Sequence, residues 1–211
     1  LTLRAISPPP PPHASRLLVL LHGWGANAQD VAGLATYLSL PSHQLIFPEG
    51  PFVHPMAPQG RMWYSFPNGY DFRQTHAFEQ QVDLQQSRRE LKAWMLSLAD
   101  STGIGLEQTV MGGFSQGGAM TLDVGLQLPL AGLLVLSGYA HATLNPPVSP
   151  RPVLLMHGRQ DPVVPIERAR SAKTQLEQQG LTVDYREFDA GHEITPAALA
   201  VAEQFCQTFI I

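Results

Sequence analysis

Five short apolar runs recur along the chain: RLLVLLHG (16–23), QLIFPEG (44–50), TVMGGF (109–114), AGLLVLSGY (131–139) and PVLLMHG (152–158). Each is of strand length, continuous rather than alternating, and bounded by glycine or proline. A strand covered on one face alternates apolar and polar residues. A strand covered on both faces reads as an unbroken apolar run, as in parallel sheets. LTLRAI (1–6) and TVDYREF (182–188) alternate more and are expected at half-exposed or edge positions.

Helical patterns separate these runs. In 79–100, Leu84, Leu91, Trp94, Met95 and Leu98 form one helix face. Residues 166–180 read as a polar helix closed by Gly180. Residues 196–210 open with Pro196, and Ala198, Val201, Ala202, Phe205 and Phe209 form the apolar stripe. Residues 119–126 read as a helix after the strand at 109–111. Strands alternating with helices predict an α/β fold, a mostly parallel central sheet flanked by helices. The 211 residues show no repeat and no second composition regime, so a single domain over 1–211 is expected.

Two segments resist this scheme. SPPPPPH (7–13) favours polyproline II and is read as a stiff connection between the first two strands. Residues 48–78 are rich in proline and carry Phe52, Trp63, Tyr64, Phe66, Tyr70 and Phe72. Such aromatic content argues against disorder. An apolar cover over a pocket is expected, with Trp63 and Tyr64 as its walls, and a satellite hydrophobic cluster under the loop is the alternative for any single ring.

Bulk properties exclude other classes. A net charge of −4 gives no footprint for nucleic acid or an anionic membrane. No apolar stretch reaches the 18 or so residues of a membrane span, and the first residues lack a secretory pattern. The single cysteine, Cys206, permits no internal disulfide and no clustered-cysteine metal site, and is expected buried in the last helix. A cytoplasmic protein without metal or cofactor is expected.

Chemistry concentrates in GGFSQGG (112–118). Gly113-Phe114-Ser115-Gln116-Gly117 is a G-x-S-x-G motif, which places a serine on a tight strand-to-helix turn. At ordinary usage this motif arises by chance in roughly one chain in fifteen of this length. Its position between a strand and a helix is what raises it above chance. Ser115 would stand at the C-terminal edge of the sheet, where α/β folds bind ligands.

A nucleophilic serine needs a base, and the base an orienting acid. With this motif the chain order is serine, acid, histidine. His141 and His157 precede the favoured acid, and His157 reads as a hydrogen-bonded residue at a strand end. His192, in the loop DAGHEI before the last helix, fits as the base. Among Asp161, Asp184 and Asp189, and the weaker Glu167, Glu177 and Glu187, Asp161 is favoured because it directly follows a strand. Backbone N–H groups of Gln116 and of Trp24, in LLHGWGAN (20–27), are the expected oxyanion donors. His22 reads as structural.

LLHGWGAN, GGFSQGGAM, LSGY, LMHGRQDPVVP and DAGHEI together resemble the phospholipase/carboxylesterase family of α/β-hydrolases, which includes the acyl-protein thioesterases. The resemblance runs from about residue 15 to 205. It implies an α/β-hydrolase fold and a serine esterase that cleaves small-molecule esters or thioesters without a cofactor. It implies Ser115, Asp161 and His192 as the triad and the amides of Trp24 and Gln116 as oxyanion donors. Two positions depart from the pattern: Trp24 stands where the family commonly has leucine, and Ser65 where it has aspartate after Trp-Tyr. Peptidase or lactonase chemistry, and a non-catalytic binding protein on the same fold, are the alternatives.

Overall fold

The computed structural model describes residues 3–74 and 78–209. Leu1 and Thr2 of the expected first strand, residues 75–77 of the aromatic segment and Ile210 of the last expected helix lie outside the described residues.

Among the described residues, nine strands and five α-helices follow one another. The strands are β1 (Ala5–Ile6), β2 (Arg16–Leu21), β3 (His43–Pro48), β4 (Phe52–His54), β5 (Ala57–Met62), β6 (Thr109–Phe114), β7 (Gly132–Leu136), β8 (Val153–Gly158) and β9 (Val183–Phe188). The helices are α1 (Ala28–Ala32), α2 (Val82–Thr102), α3 (Gln116–Gly125), α4 (Ile166–Gln178) and α5 (Pro196–Gln207). Seven strands form one sheet in the order β1-β3-β2-β6-β7-β8-β9. All neighbours are parallel except β1 and β3.

The unbroken apolar runs are explained by two cores, one on each sheet face. Leu17, Val19, Leu21, Met111, Leu133, Val135, Val153 and Leu155 point to the side of α2, α3 and α4. Leu18, Leu20, Val110, Leu134, Leu136, Leu154 and Met156 point to the side of α1 and α5, where Cys206 is buried as expected. Successive side chains in a strand point to opposite faces, so both must be apolar. β9 lies at the sheet edge and its burial alternates.

Local chemistry sets several boundaries. Asn27 caps α1 through the amides of Gln29 and Asp30, and the Asp30 carboxylate accepts from the Asn27 amide. Thr195 caps α5, with Pro196 in its first turn. Beyond α4, the amides of Gly180 and Leu181 donate to the carbonyls of Glu177 and Leu176, the pairing that closes a Schellman motif.

Three features differ from the sequence reading. α3 begins at Gln116 rather than Ala119. Glycine is a poor helix former, but tertiary packing of Gly117 and Gly118 outweighs propensity here. The short α1 goes unread in the sequence. The proline-rich segment 48–78 contains a hairpin, β4–β5, where only a covering loop is expected. Its strands are too short and too interrupted by proline to show a period of two. The prolines at 8–12 do connect β1 to β2 outside either strand.

His43, at the start of β3, carries a testable consequence. It is 1% exposed, and burial, reinforced by the Arg16 charge, lowers its pKa from the ordinary 6.5 to about 4. Between those values the unfolded chain takes up a proton that the folded chain refuses. Stability therefore falls as pH drops from 6.5 towards 4, by on the order of 2–3 kcal/mol from this residue. Urea unfolding of His43→Leu across this range is expected to show a shallower pH dependence than the unsubstituted protein. Equal slopes would refute the assignment.

Candidate active site

Ser115 sits between β6 and α3 with φ 54° and ψ −116°, a conformation in which a non-glycine residue is strained. The bend holds because its neighbours lack side chains. A Cβ on Gly113 would lie 2.3 Å from the Gly117 carbonyl, and one on Gly117 would lie 2.5 Å from the Leu21 carbonyl oxygen. The amide of Ser115 is tied to the Leu136 carbonyl of β7 at 2.8 Å. Strand ends on both sides thus fix the serine.

His192 reaches Ser115 from the loop between β9 and α5. Its Nε2 is 2.9 Å from Ser115 Oγ, and its Nδ1 is 2.6 Å from Asp161 Oδ2. A carboxylate only accepts, so Nδ1–H donates to Asp161. Nε2 is then left to accept the Ser115 hydroxyl. The Phe114 ring packs against the imidazole at 4.8 Å between centroids.

Asp161 follows β8, and its side chain is 0% exposed. Oδ1 accepts from the amides of Val163 and Val164 at 2.9 and 2.8 Å. Burial alone would raise its pKa. The His192 hydrogen bond and the two amides outweigh burial and hold the group below the usual carboxylate range. The competing acids are engaged elsewhere: Asp189 pairs with Arg159, Asp184 with Arg186, and Glu187 with Arg159 and Arg170.

Of the other histidines weighed in the sequence, His22, His141 and His157 are each hydrogen-bonded elsewhere. His22 Nε2 accepts from the Gly50 amide, so its Nδ1–H donates to the Gly23 carbonyl at 2.7 Å. His157 donates to the Val164 carbonyl at 2.8 Å. Burial lowers the pKa of both His22 and His157, keeping the rings neutral. His141 lies in a buried chain, with Nε2 2.7 Å from Asp123 and Nδ1 3.1 Å from the Tyr64 hydroxyl.

Among the described residues, no protein acceptor engages the backbone N–H of Trp24 or of Gln116. The loop that carries Trp24 lies beside the serine, since a Cβ on Gly23 would be 3.4 Å from Ser115 Cβ. Gln116 is the first residue of α3, where amides have no helical partner.

A cavity of about 490 Å³ opens on Ser115 and His192, and Trp24, Met56, Phe66, Tyr70, Phe72 and Val163 contribute to its lining. Trp63 and Tyr64 do not belong to it, which corrects the sequence expectation. Both are 0% exposed. Trp63 Nε1 donates to the His22 carbonyl, and the Tyr64 hydroxyl meets that of Tyr139 at 2.7 Å. Their polar atoms are satisfied inside the protein, so the rings are consumed by the core. The walls come instead from rings later in the same segment.

The Gln116 side chain contributes something the motif does not announce. Its Oε1 accepts from the Trp63 amide and its Nε2 donates to the Tyr64 carbonyl, at 2.9 and 2.8 Å. It staples the aromatic segment to the bend. The Ser65 amide donates to Asp83 of α2 at 2.7 Å, so a carboxylate does meet this turn, from another element.

The sequence profile of the phospholipase/carboxylesterase family matches residues 3–210. The chain belongs to this family. Ester and thioester hydrolysis is the chemistry of its class. Acyl-protein thioesterase 1 of Gibberella zeae is 37% identical over 115 residues, spanning 49% of this chain and 49% of that protein. The protein of the same name from Kluyveromyces lactis is 28% identical over 185 residues, 82% of this chain and 81% of that one. The crystal structure of esterase PE8 superposes with a TM-score of 0.90 at 29% identity, covering 100% of both chains. No described helix is long and apolar enough to cross a membrane.

Proposed function

We propose that this protein hydrolyses carboxylic esters or thioesters through an acyl-enzyme on Ser115, with His192 as general base and Asp161 as its orienting acid. The observation that carries this reading is the continuous hydrogen-bonded line from Asp161 through His192 to Ser115 at the mouth of an apolar cavity.

In the first step, His192 Nε2 takes the hydroxyl proton as Oγ attacks the substrate carbonyl. The negative charge developing on the carbonyl oxygen is met by the amides of Trp24 and Gln116. The tetrahedral intermediate collapses, and the alcohol or thiol leaves with the proton held by His192. Water then attacks the acyl-enzyme, with His192 again the base, and the acid is released. Every proton is carried by a residue already in hydrogen-bond contact, so the reaction needs no metal or cofactor.

The cavity lining supports a small-molecule substrate with an apolar group next to the ester. The same seven-stranded sheet takes strands from both ends of the sequence, which supports one catalytic domain. The lone, buried cysteine is compatible with a cytoplasmic location.

Labelling with an alkyl fluorophosphonate tests the assignment. Ser115 Oγ is expected to displace fluoride and form a stable phosphonyl ester, located by peptide mass mapping. Labelling of the native protein at any other residue, or none, would refute it.

A further inference from the structure

The Trp24 indole has no role in the mechanism above, which uses only the backbone amide. Yet three segments converge to hold it. The loop that carries it is pinned to β5 by two backbone hydrogen bonds, Gly25 N–H to the Arg61 carbonyl at 2.9 Å and Arg61 N–H to the Ala26 carbonyl at 2.7 Å. On one side His54 of β4 meets the indole edge-on, with centroids 4.1 Å apart at 73°. On another Phe66 meets it at 5.5 Å and 61°. His54 is 6% exposed, and its Nδ1 accepts from the Met56 amide at 3.2 Å, which locks the hairpin tip around it. Trp24 as a residue remains 39% exposed, and it lines the cavity that contains Ser115 and His192.

A large ring held on several sides and open on the last is a wall, not a flexible cover. We infer that the Trp24 indole is a specificity-determining wall of the acyl pocket, limiting the length of acyl chain accepted beside Ser115. The inference rests on the reading of Ser115 as nucleophile. Its physical basis is that an acyl chain gains from each methylene it buries until it meets a surface that cannot yield. An indole fixed by His54, Phe66 and the β5 hydrogen bonds is such a surface. A smaller, branched side chain at the same position keeps the amide and vacates the space that the indole fills in the cavity.

Two measurements test this. The first compares kcat/KM for p-nitrophenyl octanoate and p-nitrophenyl acetate in the unsubstituted protein, Trp24→Leu and Trp24→Phe. The octanoate-to-acetate ratio is expected to rise about tenfold in Trp24→Leu, the effect of room for roughly two more methylenes. Trp24→Phe is expected to stay closer to the original ratio, because it keeps an aromatic wall. A mere disturbance of the oxyanion amide would lower both substrates together and leave the ratio unchanged, and that result would overturn the inference.

The second measurement uses fluorescence. Of the three tryptophans, Trp63 and Trp94 are 0% and 7% exposed, so Trp24 dominates quenching by acrylamide. Labelling with octyl fluorophosphonate places an eight-carbon chain in the pocket, and quenching is expected to fall by about half or more. Labelling at Ser115 with unchanged quenching would overturn the wall. A probe that labels elsewhere, by contrast, would count against the Ser115 assignment while the ratio experiment still decides the role of Trp24.

Discussion

Replacing Ser115 by alanine is expected to lower kcat for p-nitrophenyl butyrate by about 10⁴-fold or more, with little change in thermal stability. The loss is large because the variant lacks the hydroxyl that attacks the substrate. Ser137 follows the neighbouring strand β7 at φ 48°, but the hydroxyl in contact with His192 Nε2 is that of Ser115. The stability change is small because alanine inherits the same backbone conformation, strained at about 1–3 kcal/mol in either residue. The bend is imposed by the close approach of Gly113 and Gly117 to their neighbours, not by Oγ. Steady-state kinetics and a thermal melt on the same preparation check both halves. A variant that keeps most of its turnover would remove Ser115 from the mechanism. A variant that unfolds would mean that the hydroxyl, not the glycines, holds the turn.

Asp161→Asn is the second large effect, expected at about 10³–10⁴-fold in kcat. The direction follows from the hydrogen bonds. Oδ1 of Asp161 accepts from two amides, so an asparagine there keeps its oxygen on Val163 and Val164 and turns its NH₂ towards His192. Nδ1 must then accept rather than donate, which moves the imidazole proton to Nε2. That tautomer cannot take the proton of Ser115. Asp189→Asn is the control: it is exposed and paired with Arg159, and such solvent-screened surface pairs contribute little. Its kcat is expected to stay within about threefold. The same kinetic assay decides, and a reversed ranking of the two variants would make Asp189 the acid.

The sheet was readable because burial on both faces leaves an unmistakable trace in the sequence. All five continuous runs are parallel strands of one sheet, and the two alternating segments lie at its edges. The hairpin β4–β5 was not readable, since three- and six-residue strands broken by proline carry no period. The start of α3 was misplaced for a related reason. Two glycines argue against helix locally; the close passage of the Leu21 and His22 carbonyls explains Gly117, and that of Gly138 and the Gly113 carbonyl explains Gly118. Trp63 and Tyr64 illustrate a third limit. Aromatic content marked the segment, but a ring's direction depends on partners distant in sequence. Here these are the carbonyl of His22 and the hydroxyl of Tyr139.

By itself, the sequence determined the alternation of strands and helices, the serine at a strand-to-helix bend, and the chain order that singled out Asp161 and His192. These are local or ordinal properties: periodicity, composition and order survive in one dimension. Tertiary structure alone decided which rings reach the cavity, that Gln116 staples the aromatic segment, and that Trp24 is held on several sides. Each of those depends on distances between residues far apart in the chain, set by how two layers of side chains close over one sheet, and no pattern along the chain encodes them singly.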